Sequence, residues 1–311
     1  MINCKICDKG FTSEKGLHCH LKQHGTNMAE YYTKYFPKLN KLTGEPLPFK
    51  NKKDYFRKDF DSRAQLIKWC KSHEKKEVGE YILKLLRERI SDKKLVRGPS
   101  HVELRLAELP DVDTYVDHFG SYTQACQKAG VEPLFSKRLP CEFRDVDLDD
   151  IKIFIDTREQ KPLTFRNSDV MKLDFGDYTA AGSDYDYTYI DRKSAGDFIG
   201  TLSVNNLDRF RRELERARDM DCYLFIITES SINEIYKKNR WGPHSTNLKF
   251  IYHNMRVLAH DFADTCQFVF SGSREASELI IPKILKLGEA LWGVDLQYYI
   301  DKNELGNGKA T

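Results

Sequence analysis

The sequence lacks any apolar run approaching the roughly 18 residues that cross a bilayer, which excludes a membrane-spanning helix. Its first ten residues, MINCKICDKG, contain no apolar stretch of the secretory kind, so no signal peptide is expected. There is no Gly-X-Y period and no sustained heptad pattern, so collagen-like and coiled-coil folds are out. Cysteine is short of pairs. Of eight cysteines, only Cys4 and Cys7 stand close together; Cys19, Cys70, Cys126, Cys141, Cys222 and Cys266 are scattered. That argues against a disulfide framework and for an intracellular, reducing compartment. What remains is a globular composition, 40% hydrophobic and 31% charged, with a mean hydropathy of −0.60. The 311 residues suggest roughly two domains with a small appendage.

The net charge of +3 conceals an asymmetry. Residues 1–100 carry 23 Lys and Arg against 12 Asp and Glu, whereas residues 141–311 carry 23 against 29. A basic front half on a mildly acidic back half suits a polyanion-binding arm joined to a unit that needs carboxylates.

Residues 1–26 place Cys4, Cys7, His20 and His24 at C-x2-C-x12-H-x3-H spacing. Two thiolates on a tight hairpin and two imidazoles one helical turn apart can close a tetrahedron around Zn²⁺. Phe11 and Leu17 fall where so small a unit needs its only apolar core, and the metal must supply the rest of its stability. His18 and Cys19 have the wrong spacing and are read as bystanders. This segment resembles the two-cysteine, two-histidine zinc finger family, which implies a ββα unit with structural zinc. Such a finger can read DNA or serve a structural role.

Residues 27–98 form a basic helical region. Tyr31, Tyr32, Tyr35, Phe36, Phe49, Tyr55, Phe56 and Phe60 alternate with Lys34, Lys38, Lys41, Lys50, Lys52, Lys53, Arg57 and Lys58. Lysines suit phosphates and aromatics can stack bases, but the aromatics are read first as the core of a small helical subdomain. Helices are expected over 62–72 and 77–91. In residues 99–134, Pro99-Ser100, Pro110-Asp111 and Gly120-Ser121 open two or three short helices, and Gly130 ends the last. With Leu104, Tyr115, Phe119, Tyr122, Ala125 and Ala129 the pattern resembles the small repeat that accompanies many homing endonucleases, which implies a DNA-binding helical element or a packing spacer. Residues 135–150 read as a linker.

Residues 151–305 alternate strand and helix signals, as an α/β domain does. Strands are expected at 151–156, 171–175, 177–181, 187–193, 222–228 and 266–270. Helices are expected near 194–203, 207–219, 246–262 and 273–290. Asp156 ends the first strand and Asp177 follows Gly176. Asp191 and Lys193 lie two apart, so they share a strand face while Arg192 points the other way. If the hairpin brings Asp177 beside Asp191, two acids and a lysine converge, as Mg²⁺-dependent phosphodiester hydrolysis requires. The helix NLDRFRRELERARDM carries arginines that can track phosphates or pair with Glu213 and Glu215 on a solvated surface. His244, His253 and His260 fit no metal spacing.

Gly176-Asp177, then Asp191-Arg192-Lys193 with Asp197, together with Asp156-Thr157-Arg158-Glu159 upstream and KSAGDFIGTLS downstream, resembles the XPF/Mus-eighty-one nuclease domain, a branch of the PD-(D/E)XK superfamily. Asp191 stands where that family usually has Glu, which shortens the reach by one methylene. The resemblance implies a restriction-endonuclease-like fold with Asp156, Asp177 and Asp191 as ligands of Mg²⁺ or Mn²⁺. It implies Lys193 as the water-positioning group, Arg192 and Asp197 as supporting residues, and Glu159 as a neighbour or ligand of the metal. The family's paired helix-hairpin-helix tail is not expected after Trp292. The finger and repeat make the chain look like phage-encoded, homing-type enzymes of a bacterial host's cytoplasm. The resulting expectation is a site-directed, metal-dependent DNA endonuclease with DNA as partner and no membrane association. One site cuts one strand, so a double-strand break calls for a homodimer or two nicks. The rival expectations are a structure-specific flap or junction nuclease and a DNA-binding protein with an inactive nuclease fold.

Overall fold

The computed structural model describes residues 2–39, 46, 49, 55, 63–181, 187–241 and 246–304. Phe56, Phe60, Lys41, Lys50, Lys52, Lys53, Arg57, Lys58 and His244, singled out above, lie outside them. The chain divides into two compact units, Met1–Tyr81 and Ile82–Thr311.

In the first unit a short antiparallel hairpin, β1 (Ile2–Asn3) and β2 (Gly10–Phe11), leads into α1 (Glu14–Leu21). Ser13 caps this helix by accepting from the Gly16 amide, which satisfies one of the donors that every helix start leaves open. A 3₁₀ turn over Lys22–His24 carries the second histidine. Next comes α2 (Met28–Tyr35), opened by a capping box between Asn27 and Glu30. Tyr31 of α2 is buried with Cys4, Leu17 and Leu21, and its hydroxyl accepts from the Lys5 amide at 2.8 Å. The apolar core of the hairpin and α1 therefore includes α2. Tyr32, Tyr35 and Phe36 pack around Tyr31, with Tyr55 against Tyr32, so these aromatics are packing residues. Helices α3 (Arg63–Ser72) and α4 (Lys75–Lys93) follow, close to the expected spans.

The second unit opens with a helical module. β3 (Arg97–Gly98) and β4 (Glu132–Pro133) pair in parallel and clasp α5 (His101–Leu106), α6 (Val112–Phe119) and α7 (Tyr122–Ala129). Ser100, Asp111 and Ser121 cap the three helices, as their positions predict. A Cβ on Gly98 would stand 2.4 Å from the Cys126 sulfur, so this close strand–helix approach requires glycine.

The α/β part is built on β5 (Lys152–Asp156), β6 (Ser168–Met171), β7 (Tyr178–Ala181), β8 (Thr188–Lys193), β9 (Tyr223–Thr228) and β10 (Cys266–Phe270). Their order in the sheet is β10-β9-β8-β7-β5-β6. β8, β9 and β10 are parallel, β7 is antiparallel to both its neighbours, and β6 runs parallel to β5. β9 is buried along its whole length, which explains its unbroken apolar run YLFIIT. Leu224 and Ile226 face one core with Phe198, Phe210 and Leu214, while Tyr223, Phe225 and Ile227 face another with Ile281 and Ile284. Helices α8 (Ala195–Thr201), α9 (Val204–Asp219), α10 (Ile232–Trp241) and α11 (Leu248–Asp261) precede α12 (Arg274–Leu287) and α13 (Leu296–Asp301). The sheet is thus the middle of three layers.

The strand expected at 171–175 lies earlier, at Ser168–Met171. Its ladder with β5 stops at Asp156↔Met171, because Leu173 is drawn off: its amide donates to Asp156 and its carbonyl accepts from Arg158. Helices α10 and α13 were not expected from the sequence pattern.

Candidate active site and candidate metal centre

The β7–β8 pair sets up the carboxylates. Its register is Tyr178↔Ile190, and one further step places Asp177 opposite Asp191. Gly176 makes this possible. It has φ of +58°, and a Cβ there would lie 2.5 Å from the Ile190 carbonyl oxygen. The Asp177 amide donates to that same carbonyl at 2.7 Å, and the Asp177 carbonyl accepts from the Asp156 amide at 2.8 Å. Three strands are thereby tied together at one end.

Asp191 is buried and Asp177 half-buried, and they differ in their bonding. Asp177 Oδ2 accepts from the Arg192 amide at 2.7 Å. Burial, together with the neighbouring charge of Asp191, pushes its pKa up to about 7. Asp191 is only 4% exposed. Its Oδ1 accepts from the Lys193 ammonium at 2.7 Å, and its Oδ2 has no hydrogen-bond partner among the described residues. A buried carboxylate oxygen without a donor is costly unless something else neutralises it. Burial alone would lower the Lys193 pKa, but Asp191, Asp177 and Glu213 outweigh it and hold the ammonium charged.

Arg192 turns to the opposite side of the strand, as the alternation predicts. It is gripped twice by Glu159, at 3.0 and 3.1 Å, and once by Glu229 at 2.9 Å. Burial opposes its charge, and the two carboxylates raise its pKa beyond the usual value. Glu159 is consequently committed to Arg192. Asp156 is equally occupied. Arg158 donates to both of its oxygens, at 2.6 and 3.1 Å, and the Leu173 amide donates to Oδ2 at 2.7 Å. These bonds overcome the effect of burial and hold its pKa below the ordinary carboxylate range. Asp197 closes a capping box at the start of α8, accepting from the Ser194 hydroxyl at 2.7 Å. Of the seven residues singled out, the structure brings Asp177, Asp191 and Lys193 into one cluster, and the Arg192–Glu159 pair lines the same cleft beside it. Asp156 is joined to the cluster through the backbone, and Asp197 stands at the cleft rim.

An open cleft of about 540 Å³ lies over this cluster. Asp177, Lys193 and Asp197 line it, and Arg158, Lys161 and Arg209 add positive charge. The arginines of α9 divide their work. Arg209 faces the cleft, whereas Arg211 pairs with Asp261 at 2.7 Å and Arg218 lies over the Phe262 ring. Glu213, read from sequence as a surface partner for arginines, is half-buried beside Asp191 and Lys193. Burial and the Asp191 charge raise its pKa. Its place next to the buried stripe Phe210, Leu214 and Ala217 is the signal that marks it.

In the first unit the ligand atoms of Cys4, Cys7, His20 and His24 all lie within 4.8 Å of one another. Cys7 Sγ is 3.2 Å from His20 Nε2, which is 3.0 Å from His24 Nε2. Gln23 Oε1 sits 2.8 Å from the other nitrogen of His20 and fixes the ring's orientation. Two sulfurs and two imidazole nitrogens at this separation fit a tetrahedral zinc ion. His18 points elsewhere, to the Tyr32 hydroxyl at 3.2 Å.

No family model matches the chain, and no curated protein matches it. Among solved structures it is similar to XPF from Aeropyrum pernix, at 19% identity with a TM-score of 0.34. It is also similar to XPF from Aeropyrum pernix in complex with DNA, at 19% identity with a TM-score of 0.33. Each match covers 44% of this chain and 66% or 64% of the other, so this chain spans less than two thirds of either. The functional reading therefore stands on this chain's own residues.

Proposed function

We propose that this chain is a divalent-metal-dependent DNA endonuclease, directed to its site by its N-terminal modules in the manner of homing enzymes. The observation that carries the reading is the unpartnered, buried Asp191 Oδ2 beside a second, half-buried acid, Asp177, which lines a basic cleft. Asp177 and Asp191 would hold Mg²⁺ or Mn²⁺, hard cations that prefer carboxylate oxygen. Bound there, such an ion supplies Lewis acidity toward a phosphate and makes a water more acidic.

The chain's own residues do the rest. Lys193, anchored on Asp191, presents a charged ammonium to the cleft, where it can orient water and offset charge developing on a phosphate. Arg158, Lys161 and Arg209 bind the flanking backbone. Arg192, Glu159 and Glu229 brace the end of β8, with Arg192 and Glu159 on the cleft wall. Asp156 joins the ligand set only if Arg158 turns from it to a phosphate, since both its oxygens are engaged. Cys4, Cys7, His20 and His24 would hold structural zinc as a ββα finger. The finger and the helical module would select the DNA, and double-strand cleavage would use a homodimer or sequential nicks.

The test uses fragmented genomic DNA of the source organism, supplemented with flap and four-way junction substrates. New ends are sequenced after incubation with Mg²⁺, for the native protein and for Asp191→Asn. Ends recurring at one sequence, and reduced about 10³-fold in the variant, are expected; that is about 4 kcal/mol of barrier. Ends at branch points whatever the sequence would move the reading to a structure-specific nuclease. Equal ends from both proteins, or none with Mg²⁺ or Mn²⁺, would remove the catalytic reading and leave a DNA-binding protein.

A further inference from the structure

The second unit holds a smaller cavity, of about 270 Å³, enclosed by α4, α5, α10 and α11. It is distinct from the cleft over Asp177 and shares no lining residue with it. Its floor is apolar, from Leu106, Met255 and Ala259. Its charge is unbalanced. Arg89, Lys93, Lys249 and Arg256 line it, and Glu103 is its one carboxylate.

The bonding inside sharpens the imbalance. Glu103 is 3% exposed, and a single oxygen of it serves two guanidinium groups. Arg89 lies 3.0 Å from that oxygen, but Arg256 only 3.9 Å, beyond hydrogen-bond reach. The other Glu103 oxygen is 3.0 Å from His260 Nε2. Arg256, with 11% of its side chain exposed, is left to donate to His253 Nδ1 at 2.6 Å. Burial and the nearby Arg89 charge lower the Arg256 pKa, as expected for a guanidinium short of an anion. At the exposed mouth, Lys93 and Lys249 have no ion-pair partner among the described residues.

Two lining residues also carry buried polar atoms without a hydrogen-bond partner among the described residues, the Tyr252 hydroxyl and His260 Nδ1. Buried polar atoms left in this state call for an occupant. One wall is aromatic: the Tyr252 ring lies 5.5 Å from that of Tyr236, tilted by 36°, and Tyr236 is 44% exposed. A small cavity with an aromatic wall, convergent polar atoms and surplus cations matches a ligand with a flat ring and a phosphate. The volume is at the low end of ligand pockets, about 300 Å³, which suits a single nucleotide and excludes a duplex.

We propose that this cavity binds one nucleoside monophosphate unit, with the phosphate at Arg256, Lys93 and Lys249 and the base against Tyr252 and Tyr236. The unit comes either as a free nucleotide or as the 5′-phosphorylated end of a DNA strand. The proposal is independent of the catalytic reading, since none of these residues belongs to the Asp177 cleft.

Isothermal titration of the full chain with Mg²⁺ omitted tests it. The probes are deoxyadenosine 5′-monophosphate, deoxyadenosine, inorganic phosphate and a 5′-phosphorylated tetranucleotide. The monophosphate is expected to bind at least about tenfold tighter than either the nucleoside or phosphate alone. Tetranucleotide binding as tight as the monophosphate assigns the site to DNA ends, and weaker binding assigns it to free nucleotide. Arg256→Gln should weaken the monophosphate about tenfold. Should that variant fail to fold, Lys93→Ala with Lys249→Ala, both exposed, should still weaken it several-fold, with Asp191→Asn binding as the native protein. No binding at millimolar concentration, equal binding of phosphate alone, or binding lost in Asp191→Asn and kept in the lysine variants would overturn the proposal.

Discussion

The Cys4, Cys7, His20, His24 group and the Asp177, Asp191 pair each gather ligand atoms fit for a divalent cation, but on very different supports. The first stands on a two-strand hairpin, one helix and a handful of apolar side chains. All four tetrahedral positions come from the chain, so a zinc ion there is closed off and structural. The second stands on a six-stranded sheet with a core on each face. Its carboxylates need no cation to be positioned, and Asp177 lines a cleft from which substrate and water could reach a cation held there. A scaffold that holds its ligands by packing can leave coordination sites open for chemistry. One that is held by its metal cannot.

That contrast can be broken most forcefully by chelation. Removing zinc should unfold the residues around Cys4–Tyr35, with a loss on the order of 10 kcal/mol. The unfolding transition of Ile82–Thr311 should stay in place. Circular dichroism and limited proteolysis with and without chelator would show it, and retention of a protease-resistant N-terminal segment would contradict it. Next in size is Glu159→Gln. It leaves the buried Arg192 with Glu229 as its near partner and should cost roughly 3 kcal/mol in denaturant unfolding. Asp191→Asn removes an oxygen that has no donor among the described residues but also the charge that pairs with Lys193, so the two effects oppose and the net cost should be smaller than for Glu159→Gln.

A smaller effect separates the two sites by pH. The Asp177 pKa is about 7 in the metal-free fold, against an ordinary 3.8. The folded state therefore holds this proton more tightly than the unfolded chain does. Its contribution is complete below about pH 4 and is lost as pH rises through about 7. Metal-free protein should thus melt progressively lower between pH 5 and 8, and Mg²⁺ should restore more at pH 8 than at pH 6. Differential scanning calorimetry at matched ionic strength reads this directly; a Mg²⁺ effect equal at both pH values would contradict it. Least of all, Asp197→Ala should cost about 1 kcal/mol through loss of its half of the capping box. If the residue acts only there, cleavage per folded molecule should be unchanged.

Much of this was legible in the residues. The C-x2-C-x12-H-x3-H spacing led to four side chains that do converge, because a hairpin and a helix are local structures and short spacing leaves them few other arrangements. The two-residue offset between Asp191 and Lys193 sufficed to place them on one strand face, with Arg192 on the other. The helix caps at Ser100, Asp111 and Ser121 could be read in the same way. Glu213 could not. In sequence it sits among arginines, and only the packing of α9 on the sheet turns it toward Asp191. Nor could the strand shift at Ser168–Met171, which depends on Leu173 being claimed by Asp156 and Arg158.

The sequence by itself determined the order of the candidate residues along each strand and helix, and the face each one takes. Those follow from the backbone period, which is a local property. Only the tertiary structure decided which carboxylates are engaged and which are left open. Asp156 and Glu159 are as acidic in sequence as Asp177 and Asp191, yet arginines occupy the first pair while Asp191 Oδ2 has no donor among the described residues. Whether a buried oxygen finds a donor depends on residues 2 to 37 positions away, brought near by the sheet and the helices packed on it. The gathering of Arg89, Glu103, Tyr252 and Arg256 around one cavity has the same origin: three helices from two distant stretches of the chain, joined by the burial of their apolar faces.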